Sequence, residues 1–237
     1  MEYFRDPRNQ IQASIAYRLG MIANQYRAFP IPAKKDFSVT LDVCILQNLL
    51  TTCTELLKSM ARNEHKASFL TANIEESAVW GLRPDMIEIN TFVGKLTGEV
   101  VLKRLRNALS HPCELNIHDV FPSTGYTTLD ESDTICRFCF VNSPDTMKGR
   151  PKSFDEDEAR RQLDKLIREG EMPKDVDIIR DERGGFCFGR SGKPFARVFK
   201  IYLTVEEIHA LVIGLSNHLA QPSQESWDGS TITLLVA

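Results

Sequence analysis

The strongest helical pattern in this chain begins near Ser38, and it is the feature that most constrains the fold. Apolar residues recur there at intervals of three or four, which places them on one stripe of a helix: Leu41, Ile45, Leu49, Cys53, Leu56 and Met60. Further apolar residues flank this stripe, so contact is expected on two sides of the helix. We therefore predict a helix that lies between other elements of the structure.

Two more helices are predicted in the first half of the chain. Apolar residues at helical spacing predict one over about residues 7–28, before the prolines of segment 29–32 end it: Ile11, Ile15, Leu19, Ile22 and Tyr26. A third pattern predicts a long helix that runs directly into segment 106–112: Ile89, Phe92, Val93, Leu96, Val100, Leu105 and Leu109.

Beyond residue 112 the patterns become mixed. Prolines and glycines separate short β-type runs, and the run 135–141 predicts a hairpin or a small sheet. Acidic residues followed by basic ones predict a helix that ends at Gly170. Residues 197–203 alternate like a strand, and Thr204 with Glu207 then forms a capping box for a helix over 205–220.

Composition limits the environments in which this protein can work. The net charge is −3, from 29 Lys+Arg against 32 Asp+Glu, so any contact with RNA must come from a local patch. The N-terminus lacks a secretory pattern and no apolar run is long enough to span a bilayer, so we predict a cytoplasmic protein with no membrane partner. The cysteines are spread through a long chain and are expected to be reduced thiols.

The segment Arg106-Asn107-Ala108-Leu109-Ser110-His111-Pro112 combines a permanent cation, an amide and an imidazole. On an uninterrupted helix, Arg106 and His111 would lie about 140° apart and would not share a face. Pro112 disfavours the α conformation at His111, so the helix should end there and the imidazole can turn back toward the guanidinium. The spacing therefore fits a site at a helix terminus.

Such a site suits RNA cleavage by the neighbouring 2′-hydroxyl. That reaction needs a base, an acid for the leaving oxygen and positive charge on the phosphorane. Histidine can fill either proton-transfer role near neutral pH, and arginine presents a planar fork of donors to phosphate oxygens. One motif supplies only one histidine, so two copies that face each other across a two-fold axis would complete the site, which predicts a homodimer.

The same residues resemble the R-x4-6-H motif of the HEPN superfamily, in which a polar residue, often Asn, Asp or His, follows the arginine. Arg106, Asn107 and His111 match these positions, and the resemblance covers roughly residues 7–118 and less surely the helix at 205–220. It implies a mainly α protein. Residues 1–118 would form the first part of an antiparallel helical bundle, 119–204 a small inserted α+β or β-hairpin region, and 205–237 the final bundle helix and a C-terminal tail.

HEPN proteins include metal-independent ribonucleases of toxin–antitoxin, abortive-infection and plasmid- or phage-defence systems, and these typically act as dimers with the motifs at the interface. The resemblance thus implies an endoribonuclease with Arg106, Asn107 and His111 as catalytic residues. It implies an RNA substrate, a homodimer, an antitoxin or regulator protein as a further partner, and neither cofactor nor metal. Cys113 stands where nucleotidylated relatives carry tyrosine, so inactivation by that modification is not expected.

Several alternatives stay open. Arg106 can cap the last carbonyls of the helix beside an exposed His111, or the module can bind RNA or a protein partner without catalysis. Cys136 and Cys139, with Cys113 and His118, offer zinc ligands at unfavourable spacing. The stretch 180–200 interleaves cations with Phe186, Phe188 and Phe195, which fits either single-stranded RNA or an ordinary hairpin: Arg180, Arg183, Arg190, Lys193, Arg197 and Lys200.

Overall fold

The computed structural model describes residues 7–29, 37–52, 71, 73–74, 81–90, 95–111, 125–129, 135–147 and 150–224. The helices in these ranges are α1 (Pro7–Ala28), α2 (Ser38–Thr52), α3 (Gly98–Ser110), α4 (Glu156–Arg168) and α5 (Val205–Gln224). The strands are β1 (Ile87–Ile89), β2 (Gly125–Leu129), β3 (Ile135–Asn142), β4 (Thr146–Met147), β5 (Arg150–Pro151), β6 (Val176–Arg180), β7 (Phe186–Arg190), β8 (Lys193–Pro194) and β9 (Phe199–Thr204).

A four-stranded antiparallel sheet, in the order β1-β9-β3-β2, lies beside the helices. Successive residues of a strand point to opposite faces, and on β9 the residues Phe199, Ile201 and Leu203 are buried. Ile201 lies opposite Phe140 of β3 and Ile87 of β1. These side chains pack in one core with residues of α1, α2, α3 and α5.

The prediction of a mainly α helical bundle is wrong, because the described residues form a mixed α/β protein in which this sheet shares the core of the helices. Strands β3 and β9 lie within the stretch 119–204 that we expected to be an insertion, yet both contribute to that core. The sequence indicates that these segments are strands. It does not indicate which distant segments pair with them, and that pairing builds the sheet.

Helix α1 packs mainly against α5 and has the bounds that its sequence pattern predicts. Its buried face differs from the prediction, since Ile11 and Ile22 are 60% and 48% exposed. The residues that are buried instead are small: Ala13, Ala16, Gly20 and Ala23. Because the distance between packed helices depends on the side chains at their contact, small residues allow α1 to approach α5 closely.

The predicted long helix from Ile89 to Leu109 is in fact a strand followed by a shorter helix. Residues Ile87–Ile89 form β1, which pairs with β9. Helix α3 begins at Gly98, after Thr97 accepts a hydrogen bond from the backbone nitrogen of Val100 at 3.4 Å. The β-branched residues Ile87 and Ile89 are half-buried against the main core, and this tertiary contact decides between strand and helix.

Helix α4 and the sheet β6-β7-β8 surround a second, smaller core: Leu163, Leu166, Met172, Val176 and Phe188. Asp155 caps α4 by accepting from the backbone nitrogen of Glu158 at 2.8 Å. The predicted end at Gly170 is confirmed, because that residue has φ +70° just after the helix. Glycine adopts this left-handed conformation without strain.

Helix α5 begins with the predicted capping box. The backbone nitrogen of Thr204 donates to Oε2 of Glu207 at 2.8 Å, and that of Glu207 donates to Oγ1 of Thr204 at 3.2 Å. The predicted continuation of α2 to Met60 and the C-terminal tail lie outside the described residues. Within the residues that the structure describes, no helix is both long enough and apolar enough to cross a membrane.

Candidate active site at the end of α3

The buried face of α3 determines which side chains of the motif at residues 106–111 reach the surface. Val101, Leu102, Leu105 and Ala108 are buried against the main core. Their spacing leaves Arg106 and Asn107 half-buried on the neighbouring surface. Rotation of α3 about its axis would expose this apolar face to water, so packing holds the two polar side chains in place.

Arg106 and Asn107 are in direct contact. The side-chain oxygen of Asn107 accepts hydrogen bonds from Nε of Arg106 at 3.3 Å and from Nη2 at 3.0 Å. Asn107 thus restrains the direction of the guanidinium, as a positioning residue would. Among the described residues, no carboxylate pairs with Arg106, whose side-chain hydrogen bonds there go to Asn107.

His111 is the residue at which α3 ends, as predicted from Pro112. Its backbone has φ −135° and ψ 68°, outside the helical region, and its nitrogen still donates to the carbonyl of Asn107 at 2.9 Å. The residue is exposed, and its imidazole makes no hydrogen bond within the part of the chain described here. The structure therefore brings Arg106 and Asn107 together and places His111 at the end of the helix, as an exposed residue.

The end of α3 lies beside α2. Gln47 of α2 donates from Nε2 to the carbonyl oxygen of Leu109 at 3.5 Å. The last turn of a helix exposes carbonyl oxygens and carries partial negative charge, which repels phosphate. The cationic side chain of Arg106 therefore supplies the positive charge that the exposed carbonyl oxygens at this end of the helix do not.

A buried charged cluster at the junction of α1, α2 and α5 was not found from the sequence. Asp42 accepts from Nη2 of Arg27 at 2.9 Å, and both its oxygens lie 3.2 Å from Nδ1 of His209. Because a carboxylate only accepts, Nδ1 of His209 is the donor. One feature of the sequence could have indicated this cluster, because Asp42 lies on the apolar side of α2. A charged side chain at such a position is normally buried only when it has a partner of opposite charge.

A second missed cluster joins α3 to the chain around α4. Arg197 donates to both side-chain oxygens of Asp145, and it also contacts Glu171, which bonds Arg104 of α3 at 3.4 Å. Arg197 had been grouped with the basic residues that could contact RNA. It is 8% exposed and paired, so it belongs to this cluster rather than to an RNA-binding surface.

Among the other aromatic residues of the stretch 180–200, one ring is buried in the second core and two rings contact arginines. Phe188 is buried in the second core. Arg180 stacks over Phe186 and Arg190 over Phe195, each with 5.7 Å between the guanidinium carbon and the ring centroid. These contacts support the hairpin interpretation, with a buried apolar side and cations along its edge.

Two of the described cysteines are buried. Burial raises the pKa of Cys139 and of Cys187, which disfavours the reactive thiolate. Cys136 is half-buried, whereas Cys113 and His118 lie outside the described residues. Among residues that the structure does describe, no group of three or more His, Cys, Asp or Glu side chains is arranged to hold a metal ion.

Comparison of the chain with family models, with curated proteins and with solved structures gave no match. The resemblance to the HEPN superfamily thus depends on Arg106, Asn107 and His111 and on their place at the end of α3. The activity that this arrangement supports follows as a proposal.

Proposed function

We propose that this protein is a metal-independent endoribonuclease of the HEPN type that acts as a homodimer. The observation that supports this most directly is the end of α3, where Asn107 restrains Arg106 and where His111, an exposed residue, leaves the helix. A cytoplasmic location accompanies the proposal, as does a role in a toxin–antitoxin or other defence system, with an antitoxin or regulator as a further partner.

Each motif residue has a distinct part in the proposed reaction. Arg106 holds the non-bridging oxygens of the scissile phosphate and stabilises the charge that develops on the phosphorane. His111 transfers a proton, either from the 2′-hydroxyl or to the 5′-oxygen that leaves. Asn107 positions the guanidinium through its two hydrogen bonds. The bond from the 2′-oxygen to phosphorus forms as the bond to the 5′-oxygen breaks, so no water is consumed in this step.

A homodimer follows from the need for two proton-transfer groups. The motif of one chain supplies a single imidazole, and His209, whose ring faces Asp42, is buried away from the end of α3. The second imidazole is therefore proposed to be His111 of another copy. A two-fold axis near the ends of both α3 helices would place two arginines and two imidazoles around one phosphate.

The competing function is a module that binds RNA or a protein without cleaving RNA. It uses the same exposed ring of His111 and the same cation at Arg106, but it needs no proton transfer. Substitution of His111 separates the two functions, because binding tolerates a neutral hydrogen-bonding side chain and general acid–base catalysis does not.

The deciding experiment measures cleavage of an end-labelled single-stranded RNA by the wild-type protein and by His111→Gln. His65→Gln serves as the matched control, since it removes an imidazole outside the motif. We expect cleavage by the wild type and the control, and a loss of about 10²–10⁴-fold in His111→Gln with an unchanged circular dichroism spectrum. Equal cleavage by all of these proteins would refute catalysis by His111.

A further inference from the structure

A small pocket opens between α3, the end of β3 and the loop that follows α4. Its polar lining consists of Arg104, Asn142, Glu171 and Arg197. Arg104 precedes Arg106 by two positions, so the two side chains leave α3 about 160° apart. This pocket is consequently separate from the proposed site for RNA cleavage.

Arg197, one of the two arginines, is already paired with a carboxylate. Arg197 donates from Nε and Nη2 to the two oxygens of Asp145 at 2.9 and 2.8 Å, and its backbone nitrogen donates to the same carboxylate at 2.9 Å. The side chains of Arg197 and Asp145 are only 10% and 6% exposed. This bidentate pair is a fixed part of the structure, and it leaves Nη1 of Arg197 directed at Glu171.

Glu171 bridges the two guanidiniums. Its Oε2 accepts from Nη1 of Arg197 and from Nη2 of Arg104, the latter at 3.4 Å. Arg104 also donates from Nη1 to the side-chain oxygen of Asn142 at 3.1 Å. Among the described residues, Glu171 is the only carboxylate bonded to Arg104, and its side chain is 30% exposed, more than that of either arginine.

Arg104 and Arg197 place two positive charges in a largely buried position, and Glu171 is the carboxylate that contacts both. Burial is the main cause that lowers the pKa of Arg104, the carboxylate of Glu171 raises this pKa, and the positive charge of Arg197 lowers it. Two nearly buried cations this close require an anion between them. Forked guanidinium donors are also the groups with which proteins hold carboxylate and phosphate.

We propose that this pocket binds a small oxyanion, a phosphate or a carboxylate group, and that Glu171 is a tethered internal substitute which the ligand displaces. The ligand oxygens would accept from Nη2 of Arg104 and from Nη1 of Arg197. Asp145 would stay in place on Arg197. Glu171 follows the left-handed turn at Gly170, just beyond α4, so its partly exposed side chain can rotate into solvent without disturbing a helix or strand.

Glu171 competes with any ligand because the chain holds it nearby. Short tethers give effective concentrations of roughly millimolar or above, so the wild-type protein should bind a free anion weakly. Removal of the charge at residue 171 should strengthen binding without any change to the two arginines. This inference does not depend on the proposed ribonuclease function, and its test needs no RNA.

The test is isothermal titration calorimetry with inorganic phosphate at low ionic strength. Glu171→Gln is compared with Asp175→Asn, which removes one negative charge from an exposed ion pair with Arg190 at 2.7 Å. We expect saturable binding by the wild type, at least tenfold tighter binding by Glu171→Gln, unchanged affinity in Asp175→Asn and no binding by Arg104→Gln. Acetate as a second titrant distinguishes a carboxylate site from a phosphate site.

Three results would overturn the proposal. The first is equal affinity of Glu171→Gln and Asp175→Asn, which would mean that only net charge matters. The second is phosphate binding that persists in folded Arg104→Gln, and the third is the absence of saturable binding by the wild type with either anion. If Arg104→Gln does not fold, the comparison between Glu171→Gln and Asp175→Asn decides.

Discussion

The side-chain oxygen of Asn107 accepts hydrogen bonds from one edge of the Arg106 guanidinium, from Nε at 3.3 Å and from Nη2 at 3.0 Å. A guanidinium offers a second edge, between Nη1 and Nη2, that can hold two phosphate oxygens at once. Asn107 therefore restrains Arg106 and leaves this second edge for a phosphate. The assignment of Asn107 as a positioning residue rests on this contact.

The first prediction concerns Asn107. Asn107→Ala frees the guanidinium, and we expect cleavage to fall by about 10-fold to 10²-fold, because a misplaced catalytic group costs rates of this order. Asn107→Asp keeps the acceptor but adds a negative charge beside Arg106, so it should also weaken RNA binding. Fluorescence anisotropy with labelled RNA and a cleavage assay measure the two effects separately. Asn107→Ala with wild-type turnover would remove the positioning role.

A second prediction separates charge from proton transfer at the motif. Arg106→Lys keeps the charge but loses the fork of donors, so it should weaken both RNA binding and turnover. His111→Gln should spare binding and lower turnover by about 10²–10⁴-fold. The control is Arg168→Lys, an exposed position at the end of α4. Unaffected binding and cleavage in Arg106→Lys would contradict the role of the guanidinium.

The sequence predicted the local features of the candidate site but only part of the fold. It placed the end of α3 at His111, the capping box of Thr204 and the cap at Gly170, because each of these depends on neighbours within a few residues. It predicted a hairpin or small sheet around residues 135–141 and a strand at 197–203, but not the four-stranded sheet, since β9 pairs with β1, more than a hundred residues earlier in the chain. Local periodicity carries no information on such partners.

The charged clusters were missed for the same reason. Asp42 and His209 are separated by 167 positions, and Arg104 and Glu171 by 67. Their partners are set by the tertiary structure. The sequence did contain one indication of a buried ion pair, because Asp42 lies among the apolar positions of α2.

A third prediction concerns assembly. The protein should form a dimer in solution, and chemical crosslinks should join the ends of the two α3 helices near residue 111. The reason is that one motif supplies one imidazole, that of His111, for a reaction that uses two proton-transfer groups. Sedimentation equilibrium gives the mass, and mass spectrometry of crosslinked peptides locates the interface. A monomer, or a dimer joined far from α3, would rule out the shared site.

A fourth prediction follows from Asp181 in the turn between β6 and β7. Its Oδ1 accepts from the backbone nitrogens of Arg183 and Gly185, at 2.8 and 2.9 Å. A hydrogen bond from Ser153 is the main cause that lowers the pKa of Asp181, and these backbone hydrogen bonds add to it. A carboxylate with a lowered pKa in the folded state stabilises the protein above its unfolded pKa, near 3.9, and loses this effect as the pH falls.

The melting temperature of the wild type should accordingly exceed that of Asp181→Asn at pH 7, and the difference should shrink as the pH falls toward about 3.5. Asp164→Asn, at an exposed position of α4, is the control for a general effect of charge. Thermal denaturation followed by circular dichroism provides the comparison. A difference that stays constant with pH would show that the ionised form of Asp181 has no special role.

Product analysis with two matched oligonucleotides, one of RNA and one with 2′-O-methyl groups throughout, shows whether the protein cleaves RNA through the 2′-hydroxyl when chelator is in excess. Attack by the neighbouring 2′-hydroxyl needs acid–base catalysis and charge stabilisation but no metal-bound water. We predict that the RNA alone is cleaved, with a 2′,3′-cyclic phosphate on one product and a 5′-hydroxyl on the other. Cleavage of the 2′-O-methyl strand, or activity that disappears with chelator and returns with magnesium, would contradict this account.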